Sequence, residues 1–480
     1  MKRSLMKMSL MKTTLNHKTL LLGGSLSLLL CGCNVGPKYT RPQVPAPPAY
    51  RGPDDTQVTS DAQNSLGDQK WADVFHEPEL QALIQKALTN NFDLRIAAQH
   101  VLEAEAQVRI TRSQQFPQIT VGGTGIGADL PNSISSSISS PITAGSLSVS
   151  ASWTPDFWGL YRKQTDAARA QLLSQTWAQR AVRITLIQQV VTTYVQLRAL
   201  DRQLEISKQT VKIRQDSVDL TRKLQQGGGA PLSDVRQAEE LLYTATSQIP
   251  VLEQQIQQSE NAMKLLLGED PGPVAHTAPN VLVPVPENLP VGLPSQLLER
   301  RPDIQQAEAQ LIAANAQVGV ARAQFFPQLS ISASAGTGGS TLGDLFNSSG
   351  KTIYGLGSLT QPIFEGGKLR GQLQLSEHQK EEMVLTYQKT IEGAFRDVSN
   401  ALIAVNKART EREEQVKLTA AAEDAARLAK VRYDGGATSY LEVLTTNYTL
   451  FTAQLNLVSA QQNEALTLVQ LYSALGGGWQ

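Results

Sequence analysis

Cysteine and histidine are scarce in this chain of 480 residues, with two cysteines and five histidines. So few ligands exclude a disulfide framework and leave little material for a structural zinc site. No run of about 20 apolar residues occurs, as each span of a polytopic helical membrane protein requires. The 43 basic residues balance the 43 acidic ones and form no basic block, so nucleic acid is not an expected partner. What is present is a long chain rich in glutamine and alanine, which we predict to be mostly helical.

The first 33 residues have the order of a bacterial export signal. A basic segment precedes the apolar stretch Thr19–Leu30, which is too short to span a bilayer but suits a signal peptide. Leu30, Gly32 and Cys33 then resemble a lipobox, in which the Cys33 thiol is acylated. An ordinary signal peptide with incidental cysteines is the alternative. We predict a signal peptide at 1–32 and a covalent lipid such as palmitate at Cys33, with no other cofactor.

The segment after Cys33 is expected to be a lipid-anchored tether. Asn34 rather than aspartate follows the acceptor cysteine, which in lipoprotein sorting favours the outer membrane. Six prolines fall within Gly36–Pro53, a composition typical of an extended linker. The predicted tether spans residues 33–77 and would hold the protein at a membrane surface.

The rest of the chain is an internal duplication. Three motifs recur in the same order about 208 residues apart, namely Phe-Pro-Gln at 116–118 and 326–328, Pro-x-Phe-x-Gly at 155–159 and 362–366, and Gly-Gly at 227–228 and 435–436. Seven prolines in Gly268–Pro294 indicate the linker between the copies. The predicted segments are repeat 1 at 78–267, the linker at 268–294, repeat 2 at 295–475 and a tail at 476–480.

Each copy begins with a helical segment and two strands. The helical segment, Pro78–Gln115 or Pro294–Gln324, ends at Phe-Pro, where the proline ring prevents continuation. Alternating serine and apolar residues then predict two strands per copy. These strands are expected near 118–126, 146–155, 328–336 and 352–362, although alternation in the fourth is poor and the repeat places it.

A very long helix and a returning helix complete each copy. We predict the long helices at Leu160–Gln226 and Lys368–Tyr433, and the returning helices at Leu232–Leu267 and Tyr440–Leu475. Pro250 should kink or interrupt the first returning helix. Apolar residues recur every seven positions in the first long helix, as a coiled-coil seam requires: Val190, Leu197, Leu204, Val211 and Val218.

The strands place serines on one face and apolar residues on the other. Four such strands form either a soluble sheet or a share of a membrane barrel, because even the smallest membrane barrels use about eight strands. The predicted lipid anchor and the serine face favour strands pooled between chains. Four aromatic residues at the strand ends would lie at the membrane interface, or would instead pack helix against sheet: Trp153, Phe157, Trp158 and Phe364.

The lipobox, the segment Gly36–Pro42, the Phe-Pro-Gln repeats and the ending Ala474–Trp479 together resemble the TolC-type outer membrane factors. The resemblance covers Asn34–Gln480 and points to the lipoprotein branch that serves resistance-nodulation-division efflux pumps. It implies an α+β membrane channel, a homotrimer with a shared twelve-stranded β-barrel (four strands per chain) on a long α-helical coiled-coil tunnel in the periplasm. Such a channel would sit in the outer membrane and export small toxic compounds or drugs. The implied partners are outer membrane lipid, a periplasmic adaptor (membrane fusion) protein and an inner-membrane pump.

The chain reversal near Gly435 resembles the family's gated periplasmic entrance. The resemblance implies an acidic ring at Glu442, which would attract cations, and the predicted gate residues are Tyr433, Asp434, Tyr440, Leu441, Glu442 and Leu444. We expect Tyr440, Leu441 and Leu444 to form a steric collar. Glu442 is alternatively a solvated charge that the helix dipole stabilises. Because the family often has arginine near Thr438 and aspartate at Thr445, the latch of this chain should differ in detail.

The other reversal, around Gly228, is expected to lie beside the gate. Glycine supplies the positive φ of a chain reversal and Pro231 suits a first helical turn, so any helical hairpin would need these residues. The turn also resembles a tip at which the adaptor docks. The predicted docking residues at the two turns are Gly227, Gly228, Gly229, Asp234, Gly435 and Gly436.

No catalytic constellation is visible, and we do not predict an enzyme. The glycine-rich stretch 123–127 lacks the lysine of a nucleotide loop, and no two histidines have zincin spacing. Type I protein secretion and metal-ion efflux remain alternatives for the cargo. A lipid-anchored coiled-coil scaffold without a pore remains an alternative for the whole protein.

Overall fold

The computed structural model describes residues 35–58, 65–128, 142–275, 289–341, 343–347 and 350–479. The predicted signal peptide, Cys33 and the central part of the proline-rich linker lie outside these residues. Among the helices described, none has a stretch both long and apolar enough to cross a membrane.

Both halves of the chain show the same succession of elements. The helices are α1 (Trp71–Val74), α2 (Pro78–Asn90), α3 (Phe92–Ser113), α4 (Leu160–Gln226), α5 (Leu232–Leu266), α6 (Leu297–Arg300), α7 (Pro302–Ala323), α8 (Lys368–Asp434) and α9 (Tyr440–Ala474). The strands are β1 (Tyr50–Arg51), β2 (Gln57–Val58), β3 (Gln118–Ala128), β4 (Ile142–Trp153), β5 (Gln328–Gly339) and β6 (Lys351–Thr360). Helices α4 and α8 each contain 67 residues, and the returning helices α5 and α9 each contain 35.

Each predicted first helical segment is helical but divided into two helices. In the first copy Asn91 leaves helical geometry and its side-chain oxygen accepts a hydrogen bond from the Leu94 N–H at 3.1 Å, which starts α3. In the second copy Arg301 is extended because Pro302 follows it.

Helix α5 continues through Pro250, so the proline does not interrupt it, and the alternative of a kink stays a prediction. A proline inside a helix removes one backbone hydrogen bond and crowds one carbonyl. The other 34 residues of this 35-residue helix keep it continuous on both sides.

The strands β3 to β6 form one antiparallel sheet in the order β3-β4-β5-β6, so β3 and β6 are its edges. Paired residues in the register share a face, and hydroxyl side chains from all four strands collect on one face. We call this the serine face; its hydroxyl residues are Thr120, Thr124, Ser146, Ser148, Ser150, Ser152, Ser330, Ser332, Ser334, Thr352, Ser358 and Thr360. The opposite, apolar face comprises Ile119, Val121, Leu147, Val149, Ala151, Ile331, Ala333, Ala335, Ile353 and Leu359.

The register explains why alternation in the fourth strand is poor. Tyr354 pairs with Ser334 and Leu356 pairs with Ser332, so both bulky residues of β6 lie on the serine face. Both are 61% exposed. The fourth strand is therefore placed by its hydrogen bonds and not by its own side-chain pattern.

The described residues form two compact units. Of the described residues, the sheet unit contains 35–41 and those within Ala104–Leu172 and Gln310–Met383. The helical unit contains those within Pro42–Glu103 and Leu173–Ala309 and residues 384–479. The predicted seam of α4 lies in the helical unit. Val190, Leu197 and Val218 are fully buried there, and Leu204 and Val211 are partly buried.

The aromatic residues at the strand ends have different roles. Trp158 stacks on Phe326 with ring centroids 4.9 Å apart, and its indole N–H donates to the Pro327 carbonyl at 2.7 Å. Trp158 therefore packs helix against sheet, and its position at a membrane interface stays a prediction. Trp153 is 38% exposed and Phe364 is 90% exposed, as an interfacial position requires.

Candidate functional site at two helix tips

The turn between α4 and α5 is closed by its own backbone. Gly228 has φ +77°, and its N–H donates to the Gln225 carbonyl at 3.0 Å. The Gly229 N–H donates to the Leu224 carbonyl at 2.8 Å. This is a Schellman motif, in which glycine at the left-handed position ends the helix.

The turn between α8 and α9 repeats this geometry. Gly436 has φ +72° and donates to the Tyr433 carbonyl at 2.9 Å, while the Ala437 N–H donates to the Arg432 carbonyl at 2.8 Å. All the turn glycines, Gly227 to Gly229 and Gly435 to Gly436, are exposed. The predicted docking glycines are thus accessible on two equivalent tips.

One buried cluster joins the four helices beside the tips. Its members come from α4, α5, α8 and α9 and are Val218, Ala238, Leu242, Ala429, Tyr440, Val443 and Leu444. Tyr440 is 8% exposed and Leu444 is 4% exposed. Both side chains are therefore packed inside this cluster within one chain, whereas Leu441 is 50% exposed. The collar of Tyr440, Leu441 and Leu444 stays a prediction.

Tyr433 packs against the same cluster. Its ring lies 4.8 Å from that of Tyr440 between centroids, at an interplanar angle of 60°. Burial raises the pKa of Tyr440, which stays neutral at physiological pH. The two tyrosines therefore close the apolar cluster at the α8–α9 turn.

Glu442 is held by two neighbours. Arg432 Nη1 lies 3.0 Å from Glu442 Oε1, and the Thr438 hydroxyl donates to Glu442 Oε2. The Glu442 side chain is 37% exposed. Glu442 also lies in the first turn of α9, where the helix dipole favours a negative charge. Its charge is therefore largely compensated within the chain, by an arginine that sequence reasoning did not single out.

Further ion pairs surround the tips. Asp434 pairs with Lys430 at 2.7 Å and raises the pKa of that lysine. In the first hairpin Glu239, only 9% exposed, accepts from Arg222 at 2.7 Å and Arg236 at 2.6 Å, and these hydrogen bonds lower the pKa of Glu239. The predicted docking residue Asp234 is partly buried in the first turn of α5.

Arg214 on α4 is a buried cation above this cluster. It is 3% exposed, its Nη1 donates to the Leu241 carbonyl, and its guanidinium lies 4.8 Å from the centre of the Phe451 ring. Its Nε and Nη2 atoms have no hydrogen-bond partner within the described chain. Burial lowers the pKa of Arg214. No sequence signal marks it, because the helix that brings Phe451 over its guanidinium is distant in sequence.

A second polar surface lies in the sheet unit. A cleft of about 870 Å³ between α3, α4, α7 and α8 is lined mainly by glutamine and alanine, and Glu382 is the one charged residue of its lining. Gln114 of this cleft also lines a neighbouring cleft, to which Ser152 and Ser332 of the serine face and Ile331 of the apolar face contribute. The two clefts therefore share one glutamine near the end of the sheet.

The model of the outer membrane efflux protein family matches residues 83–269 and 293–477, one match in each repeat. The chain belongs to the outer membrane efflux protein family. This efflux protein is 35% identical over 467 residues to the probable efflux pump outer membrane protein TtgC of Pseudomonas putida, covering 96% of each chain. It is 33% identical to the cation efflux system protein CusC of Escherichia coli, covering 95% of this chain and 98% of that one.

Solved structures of relatives confirm the α+β channel fold of the efflux protein. The open-state MtrE outer membrane channel of Neisseria gonorrhoeae superposes with a TM-score of 0.82 at 28% identity, over 93% of this chain and 99% of that one. Among the residues described here, no three His, Cys, Asp or Glu side chains lie close enough together to hold a metal ion.

Proposed function

We propose that this efflux protein is the outer-membrane channel subunit of a tripartite efflux system, and that three copies pool their strands into one twelve-stranded barrel. The observation that carries this proposal is the four-stranded sheet with two edge strands and two exposed faces. In lipid, unpaired backbone groups at a sheet edge are too costly to persist, so β3 and β6 must find partners. The apolar face then meets lipid, and the serine face with the glutamine-lined cleft meets water.

The duplication predicts how two copies pair. Within each hairpin Gln118 faces Ser152 and Gln328 faces Thr360, so these positions are equivalent between repeats. Between the repeats Ser150 faces Ser334, with their hydroxyl oxygens 3.1 Å apart. The equivalent contact between copies is Ser358 of one with Thr124 of the next.

Cysteines introduced at Ser358 and Thr124 should therefore link copies by a disulfide. Residues directly opposite in an antiparallel pair have Cα atoms about 4.5–5.5 Å apart, within disulfide reach. We expect covalent dimers and trimers in non-reducing electrophoresis of membranes. The matched control pairs Thr124→Cys with Leu359→Cys, one position along and on the opposite face, and should stay monomeric. A doubly substituted protein that stays monomeric in both cases would exclude this register.

We propose that Cys33 carries the lipid and that the first residues of the tether lie against the sheet unit. The Asn315 side-chain amide donates to the Pro37 carbonyl at 3.2 Å, beside the last turns of α7. Gly36 lies so close to α7 that an added Cβ would be 3.0 Å from the Gly319 Cα. The described tether therefore begins within a few residues of Cys33 at the part of the helices that leads into the sheet, which supports a lipid anchor there.

The exposed tips support docking of a periplasmic adaptor, which would connect the channel to an inner-membrane pump. We propose that Gly227 to Gly229 and Gly435 to Gly436 form the docking surface and that the α8–α9 turn forms the gate. The two glycine turns are equivalent and lie beside one another. Because glycine has no side chain, these turns would let the helices of a partner approach the backbone closely. Cargo selection is left to the pump, since the glutamine-lined cleft has almost no charge.

The gate proposal predicts opposite effects for the two partners of one ion pair. Glu442→Gln should lower the preference of the trimer for cations, and Arg432→Gln should raise it, because each removes one sign of charge from the same contact. We expect changes of up to about fivefold in the permeability ratio, since exposed ion pairs contribute ~1 kcal/mol or less. Reversal potentials in planar bilayers measure the ratio. Equal permeability ratios for both variants and the parent would show that Glu442 does not line the passage.

A further inference from the structure

We propose that the junction between the sheet and the helices binds the anionic headgroups of phospholipids in the periplasmic leaflet. This inference rests on the proposed function, because the sheet must span the membrane for its helix ends to meet that leaflet. The junction belt comprises the residues within two helical turns of the sheet on α3, α4, α7 and α8, together with the segments that connect them to the strands. Seven of its side chains are basic: Arg109, Arg112, Arg162, Lys163, Arg322, Lys368 and Arg370.

Only three side chains of the junction belt are acidic: Asp156, Asp166 and Glu365. Each of them pairs with a cation of the belt, Arg162–Asp156 at 3.4 Å, Lys163–Asp166 at 3.6 Å and Lys368–Glu365 at 3.7 Å. The Arg162 backbone N–H also donates to Asp156 Oδ2 at 2.8 Å. Arg109 and Arg322 pair with Glu105 and Glu377, further along the helices. These pairs account for five of the seven cations, so the positive surplus of the belt consists of Arg112 and Arg370.

In a sheet that spans the membrane, these cations would lie near the depth of the lipid headgroups. Arg162 and Arg370 are each the third residue of their helices α4 and α8, so they lie about 3 Å along the axis from its start. The headgroup region adds about 5–7 Å to each side of the hydrocarbon core. The duplication has kept an arginine at this depth in both copies, 208 positions apart.

Apolar side chains accompany the cations, as a membrane surface requires and an aqueous anion does not. Ile363 is 88% exposed and Phe364 is 90% exposed. They line a cleft of about 390 Å³ together with Lys368 and Arg370. An exposed aromatic and aliphatic pair beside two cations can enter the acyl region while the cations reach phosphate oxygens.

The described part of the tether begins at the same belt. A Cβ added at Gly36 would lie 2.9 Å from Lys163 Cε, so the tether around Gly36 packs against the lysine side chain. A lipid attached at Cys33 and the cations of the belt would therefore share one leaflet. Negatively charged lipids attract basic residues at such a surface by about 1 kcal/mol for each cation.

The test compares mature trimers in phosphatidylcholine vesicles with and without phosphatidylglycerol. We expect phosphatidylglycerol to raise the temperature of trimer dissociation, and native mass spectrometry to find retained phosphatidylglycerol. Arg162→Gln with Arg370→Gln should lower the apparent affinity for phosphatidylglycerol by about fivefold for each cation removed. The matched control removes two arginines of the helical unit, Arg202→Gln with Arg427→Gln, and should bind like the parent.

Three results would overturn the proposal. The first is equal retention of phosphatidylglycerol by the belt variant and the control. The second is that inorganic phosphate stabilises trimers in phosphatidylcholine as much as phosphatidylglycerol does. The third is that Phe364→Ser abolishes trimers without changing lipid retention. That result would mean that Ile363 and Phe364 contact a second copy of the chain and not lipid. Conductance of the same samples separates these results from failure of the proposed function, because the parent must still form an open channel.

Discussion

Replacing Glu77 with alanine is expected to lower the free energy of unfolding by about 3 kcal/mol. Glu77 precedes α2 and accepts from the Tyr194 hydroxyl at 2.8 Å and from Arg198 Nη1 at 2.9 Å. The Arg198 side chain is only 4% exposed, so loss of this carboxylate leaves a buried guanidinium short of negative charge. We place the effect at the low end for a broken buried pair because the Glu77 side chain keeps 25% exposure.

The control is an ion pair of the same chemistry on the surface. Arg109 and Glu105 pair at 2.6 Å with side chains 75% and 45% exposed. Glu105→Ala should cost less than ~1 kcal/mol, since exposed pairs contribute little. Denaturant midpoints followed by circular dichroism compare the two variants, and equal shifts would show that the Glu77 contact is not special.

Replacing Arg214 with methionine is expected to stabilise the four-helix cluster by about 1–4 kcal/mol. Removing a full charge from water costs several kcal/mol, whereas contact with the Phe451 ring returns roughly 2 kcal/mol. The single hydrogen bond to a carbonyl does not make up the remaining free-energy cost of burying the guanidinium. Methionine fills a similar volume without a charge and is flexible enough to pack between the helices.

Lys212→Met is the matched control, because it removes an exposed charge two positions away on the same helix. It should change stability by less than ~0.5 kcal/mol. Thermal unfolding of the three proteins in one detergent gives the comparison. A lower midpoint for Arg214→Met than for the parent would mean that the buried guanidinium stabilises the cluster after all.

The fold could be predicted from the sequence wherever a local signal stood alone. Glycine turns at 227–229 and 435–436 set the ends of the long helices, and alternation in Ser146–Trp153 marked a strand, because both signals come from neighbouring residues. The break at Asn91 is different. Its side chain also donates to the Leu266 carbonyl at 3.0 Å, a contact across 175 positions that no local pattern contains.

The candidate site was predictable in position but not in contacts. The turn around Gly436 was expected where it lies, yet Tyr440 and Leu444 are buried and not exposed. Both face α4 and α5, and the sequence alone does not say which helices a given face meets. The Arg432–Glu442 pair spans a single turn, so it could have been predicted from the geometry of that turn. The burial of Arg214 could not, because it depends on Leu241 and Phe451 from two other helices.

The two edge strands of the sheet also constrain how the protein is made. A single chain inserted in the membrane would be unstable, because the edge strands β3 and β6 would expose unpaired backbone N–H and C=O groups to hydrocarbon. Each such group without a hydrogen bond costs several kcal/mol. In water the same edges and the exposed apolar face invite pairing with any other strand. Insertion and trimer formation should therefore be one event during biogenesis, with a rate that rises steeply with the concentration of newly exported chains.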